Sequence, residues 1–156
     1  MTLPSIFNSM GSLMKELQVS EMLKTNEETE KYGLILTAEE AAELVEVRNQ
    51  LLHSYGRVEL DMEATRKLIR SFSASPFISQ EEYAASIKEL QEVFYYLKNE
   101  TEDEIGDDNL IEIITGLLND SCGGSIELLR GRELEAFIRE YRLKRRMNDC
   151  LMEGGR

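Results

Sequence analysis

Only two prolines, Pro4 and Pro76, stand in 156 residues, and that scarcity confines the chain to folds in which the backbone can run helical for long stretches. Pro4 falls where the first turn of a helix accepts it, leaving one proline to punctuate the interior. Leu, Glu, Lys, Met and Ala supply 67 of the 156 residues, a composition that favours helix over a β-sandwich or barrel. At this size one hydrophobic core is the default. The expected fold is therefore all-α, an irregular single-domain bundle of six or seven helices over residues 1–156. Residues 1–18 are expected as an N-terminal helix free to move, and 152–156 as a frayed tail.

Hydrophobic period and turn chemistry place the elements. After Thr2, a candidate N-cap, Leu3, Ile6, Phe7, Met10, Met14 and Leu17 recur as the stripe of an amphipathic helix ending near Gln18. Ser20 is positioned to cap a more polar helix through about Tyr32, with Gly33 as its left-handed stop. Thr37 and Glu40 form a capping-box pattern ahead of a helix over 38–55, and Asp61 is placed to cap one over 62–72. Ser79 with Glu82 repeats the capping-box pattern before Tyr83, Ile87, Leu90, Phe94 and Leu97. Leu110, Ile111, Ile113, Ile114, Leu117 and Leu118 make the following helix apolar around much of its circumference, as a central helix would be. Cys122-Gly123-Gly124-Ser125 breaks it, and Ser125 caps a last region with Leu134, Phe137, Ile138 and Tyr141, which Gly131 divides.

The sequence pieces also carry a resemblance. A polar helix precedes a long Gly-ended helix, a Ser-Pro turn and an aromatic helix closing in Phe94-Tyr95-Tyr96-Leu97-Lys98-Asn99-Glu100. Asp107-Asp108-Asn109-Leu110 and Cys122-Gly123-Gly124-Ser125 follow. Over roughly residues 20 to 145, most of a domain, this order resembles an uncharacterised all-helical bacterial family seen in anaerobic Gram-positive bacteria. The resemblance implies a helical fold and transfers no activity, cofactor or site.

Charge narrows the function classes. Eighteen basic against 30 acidic residues give a net charge of −12, which repels phosphate backbones and anionic membrane surfaces. Residues 130–146 hold seven basic and three acidic residues, a local +4 that leaves −16 for the rest. This last basic region, with Arg139, Arg142, Lys144, Arg145 and Arg146, follows a glycine break as in a helix-turn-helix. However, Ser125-Ile126-Glu127-Leu128-Leu129 puts apolar and acidic residues where a DNA reader needs polar and basic ones. Internal salt bridges are favoured, and nucleic acid is not an expected partner. No apolar run approaches the roughly 20 residues of a membrane span, and the start lacks a secretion-signal pattern, so the expected location is the cytoplasm, away from membranes.

Nothing in the chain assembles a reaction centre. GxSxG, HExxH, the phosphate-binding Walker loop and the dinucleotide glycine fingerprint are all missing from the sequence. Cys122 and Cys150 lack CxxC spacing and His53 is the single histidine, so one chain cannot build a zinc site. No catalytic residue, metal ligand or cofactor is expected. The acidic stretch Glu100–Asp108 agrees with an EF-hand loop at Asp103, Gly106, Asn109 and Glu112 but departs from it at Ile105 and Asp108. Capping of the next helix is the favoured account of those carboxylates.

Two clusters remain. Arg48 interrupts an apolar stripe, and a structural polar cluster of Arg48, Asn49 and Glu59 is expected, with the Glu59 carboxylate as the natural partner. The stripe Leu3, Ile6, Phe7, Met10, Met14 and Leu17 is the candidate partner surface: methionines adapt to an opposing face, and a terminal helix is easily displaced, although core packing accounts for the stripe as well. The functional expectation is a noncatalytic cytoplasmic protein-interaction or accessory protein, binding a protein partner or a second copy. The alternatives are a metal-responsive or DNA-associated regulator and then a small-molecule enzyme.

Overall fold

A computed structural model of the chain describes the backbone of residues 3–154 and the side chains of residues 11–151. Among the described residues there is no strand, and six helices have ten residues or more. In chain order the helices are α1 (Leu3–Lys24), α2 (Asn26–Thr29), α3 (Ala38–Ser54), α4 (Glu63–Phe72), α5 (Tyr83–Glu100), α6 (Asp107–Gly116), α7 (Ile126–Leu128) and α8 (Leu134–Gly154). The fold class is all-α, as the composition required. The chain divides into two compact units, residues 1–92 and 93–156, with the boundary inside α5.

In the first unit, α1 runs well past Gln18. Ser20 sits exposed inside the helix instead of capping a second one, because no proline or glycine intervenes between Gly11 and Gly33 to stop propagation. The helix ends at Thr25, whose hydroxyl donates to the Met22 carbonyl, and Gln18, Met22 and Thr25 are buried on one face at helical spacing. The face meets α3, and Lys15 reaches Glu46 across it at 3.0 Å. Gly33 supplies the left-handed stop at φ +75° after the short turn Glu30–Tyr32.

The α3 start is the one the spacing predicts. Thr37 Oγ1 accepts from the Glu40 N–H and the Glu40 carboxylate accepts from the Thr37 N–H. Ala41, Leu44, Val45 and Leu52 are buried along the helix, with Arg48 among them. α4 begins one residue later than expected, the Asp61 carboxylate accepting from the Glu63 N–H. At Ser79 the expected capping box does not form; a tight turn over Gln80–Glu82 leads into α5 instead. There the Gln80 amide is committed elsewhere, accepting from Ile35 N–H at 2.8 Å and donating to Ile35 carbonyl at 3.0 Å.

In the second unit, Phe94, Tyr95 and Leu97 of α5 and Leu110, Ile111 and Ile114 of α6 are buried, while Ile113 is only half-buried. Two wide turns with bonds five residues apart, Leu117–Ser121 and Leu129–Glu133, flank the break at Cys122-Gly123-Gly124-Ser125. Gly123 and Gly124 both take positive φ, and the Ser125 hydroxyl accepts from Leu128 N–H, so the predicted stop and cap both form. Gly131 lies in the second wide turn, immediately before α8. The backbone of α8 stays helical to Gly154, beyond the expected fraying point.

Candidate functional site

The cluster around Arg48 is built from main chain. Arg48 is 1% exposed; its Nη1 donates to Asn49 Oδ1 at 2.8 Å, and Nη2 donates to the carbonyls of Glu59, at 2.6 Å, and Asp61. The sequence pointed to the Glu59 carboxylate, whereas the guanidinium reaches the Glu59 carbonyl. An extended connector carries two carbonyls inward at residues 59 and 61, a spacing that one planar fork can span. Two α1 residues that the sequence reading overlooked complete the grip. Gln18 Nε2 donates to the Leu60 carbonyl at 3.0 Å and Gln18 Oε1 accepts from Asn49 at 3.1 Å, while Glu21 accepts from Met62 N–H at 3.1 Å. The detectable signal was a Gln four residues before Met22 on a face otherwise set to be apolar. This constellation pins a connector and offers no nucleophile; its chemistry is architectural.

The outer side of the same region is apolar. Val58 and Leu60 of the connector are exposed, Leu60 at 69%. On α1, Leu13 and Leu17 are 57% and 53% exposed, and Met14 is exposed with them. Of the predicted partner stripe, Met14 and Leu17 therefore lie at the surface, and the side chains of Leu3, Ile6, Phe7 and Met10 lie outside the described residues. Leu13 belongs to this surface and was absent from the predicted set. Three large apolar side chains within five residues of one helix form a patch rather than scattered exposure.

In the second unit the acidic loop and the basic helix answer each other. Arg142 pairs with Glu100, Arg145 with Glu102 at 2.9 Å and Glu104 at 2.7 Å, and the Tyr141 hydroxyl donates to Glu104. Asp107 pairs with Lys98 at 3.0 Å. Part of the expectation holds: Gly106, which has no side chain to offer, is the α6 N-cap, and Asp107 and Asp108 sit in the first turn near the positive end of the helix, whereas Glu100, Glu102 and Glu104 are spent on α8 instead. Tyr96 donates to Glu135, and that bond to a carboxylate, with burial, pushes its phenol up to about 12. The Tyr141 phenol is raised for the same reason, by Glu104.

A groove of about 230 Å³ in the first unit is lined by Glu40, Glu43, Glu81 and Lys88 over Leu44, Ala84 and Ala85. Glu40 is held in its capping box and Glu43 by Lys88 at 3.2 Å. His53 is exposed in the last turn of α3. Cys122 is buried and Cys150 exposed, both as free thiols; burial, then the Glu133 carboxylate, pushes the Cys122 thiol up.

A family model described as "Family of unknown function (DUF6323)" matches residues 21–147. No curated protein and no solved structure matches the chain.

Proposed function

The chain belongs to the family of unknown function DUF6323, and we propose that its work is noncatalytic protein binding in the cytoplasm, carried by the outer face of α1. The observation that carries this reading is the exposure of Leu13, Met14 and Leu17 on a helix whose opposite face is docked on α3. Apolar side chains of this size in water cost about 25 cal/mol per Å² relative to burial, so a covering partner gains from each of them. The charge pairing of α8 with the acidic loop supports the same reading over its rivals. Arg142 and Arg145 are engaged by carboxylates that a metal ion would need, and those carboxylates hold cations that a nucleic acid would need.

The test compares the parent with Leu13→Glu and Leu17→Glu in capture from native lysate and in mass measurement of the purified protein. Loss of a bound protein or of a self-assembled species, with helicity and cooperative unfolding intact, is the expected result. Unchanged partners and unchanged mass defeat the proposal. Loss of cooperative unfolding assigns the face to the core and defeats it equally.

A further inference from the structure

We propose that the outer face of α8 is a second docking surface, separate from the α1 face, and that its occupant is an amphipathic helix with carboxylates along one side of its apolar stripe. The inner face of α8 is already spent. Leu134 and Ile138 are buried there, and Tyr141 and Arg145 are bound to carboxylates of the acidic loop. At about 100° per residue, Leu143 and Met147 lie roughly opposite those four residues. They are 58% and 57% exposed, Leu151 is 72% exposed, and Cys150 is exposed beside them.

Spacing makes this face a seat for a helix. Leu143 and Met147 are followed by Cys150 and Leu151, steps of four and then three or four residues that keep the side chains on one side. Three large apolar side chains within nine residues form a stripe rather than scattered exposure. Arg139 and Arg146 stand on one flank of it, seven residues and about 10 Å apart along the axis. Both are exposed, and among the described residues neither has a carboxylate partner. Lys144, on the other flank, is tied to Glu140 of the same helix at 3.2 Å.

Charge selects the occupant. Arg142 and Arg145, on the inner side, each hold loop carboxylates, and Arg139 and Arg146 offer the same chemistry outward, to carboxylates two turns apart. A second α8 sets cations against cations, since its arginine flank meets either the arginine flank or Lys144. Nucleic acid would lay phosphates over Leu143 and Met147. An anionic membrane presents a plane of charge to a chain of −12, whereas a single helix meets only this face, within a screening length of the arginines.

Fluorescence anisotropy of a labelled synthetic helix with leucines at matching spacing tests the fit to the full-length protein. The helix is made in two forms that differ only on one flank, with glutamates seven residues apart or lysines in their place. The parent should bind the glutamate form saturably and the lysine form at least about tenfold more weakly, a preference that shrinks as salt rises. Arg139→Glu with Arg146→Glu should reverse the preference, a gain of binding that a misfolded variant cannot give. Leu143→Ser with Met147→Ser should abolish binding of both forms at unchanged helicity, and Leu13→Glu should leave binding as in the parent. Equal affinity for the two forms, or none for either, overturns the proposal. Loss of binding in Leu13→Glu overturns it by placing the helix on α1. Tighter binding to phosphatidylserine vesicles than to the glutamate form, or a dimer that Met147→Glu dissociates, overturns it in favour of a membrane or a second copy.

Discussion

Arg48 holds the connector by hydrogen bonds to two carbonyls and to Asn49, with Nε left without a partner. Replacing it by alanine strands the Glu59 and Asp61 carbonyls and empties a large buried volume, so Arg48→Ala should cost about 3 kcal/mol in denaturant unfolding. Arg48→Lys should recover less than half of that, since a single ammonium cannot reproduce a fork that spans residues 59 and 61. A cost within a few tenths for either variant would contradict the buried grip. Tyr96 makes a pH-dependent contribution of known sign. Its bond to Glu135 favours the neutral phenol, raising the folded value to about 12 from the ordinary value near 10. The stabilisation is therefore present in full below pH about 10 and is lost as pH rises through about 12. The stability difference between the parent and Tyr96→Phe should stay constant from neutral pH to about 10 and shrink above it. Arg48 was marked by its interruption of the α3 stripe; the partner was not legible, because main-chain carbonyls are present at every position and carry no sequence signal.

At the scale of elements, the end of α5 stores a cost that can be released. Glu102 and Asp103 take φ +53° and +61°, with Asp103 N–H bonding the Lys98 carbonyl in the manner of a left-handed helix stop. A side chain there costs about 1 kcal/mol relative to glycine. Glu102 also pairs with Arg145, an exposed contact that solvent screens to little net worth, and Arg145 keeps Glu104. Glu102→Gly should thus stabilise the protein by about 0.5 kcal/mol and Glu102→Ala should destabilise it slightly, both read from denaturant midpoints. A destabilised glycine variant would show the ion pair outweighing the backbone term. The α3 cap and the Gly33 stop were legible because each is a local geometry with its own residue chemistry. The Ser20 and Ser79 caps were not, for serine caps only where the helix actually begins: α1 runs on through Ser20, and the chain enters α5 through a turn held by Gln80 and Ile35.

For the whole molecule, +4 on residues 130–146 against −16 elsewhere gives opposite expectations depending on whether the basic helix is occupied. It is: Arg142 and Arg145 spend their charge on Glu100, Glu102 and Glu104. Duplex DNA at physiological salt should produce no saturable anisotropy change with the labelled duplex, and sequence-dependent binding at nanomolar concentration would contradict this assignment. By itself the sequence determined the all-helical class, the places where helices stop at glycine, the α3 capping box and the polarity of charge along the chain. Those properties follow from backbone geometry, from residues within a few positions of one another and from composition, all of which are written locally. Tertiary structure alone decided which face of α1 docks, that Gln18 and Glu21 join Arg48 in gripping residues 59–62, and that the acidic loop is neutralised by α8. Each of these depends on bringing together groups some 40 residues apart, where the sequence offers several carboxylates, amides and carbonyls of the right chemistry and only packing selects among them.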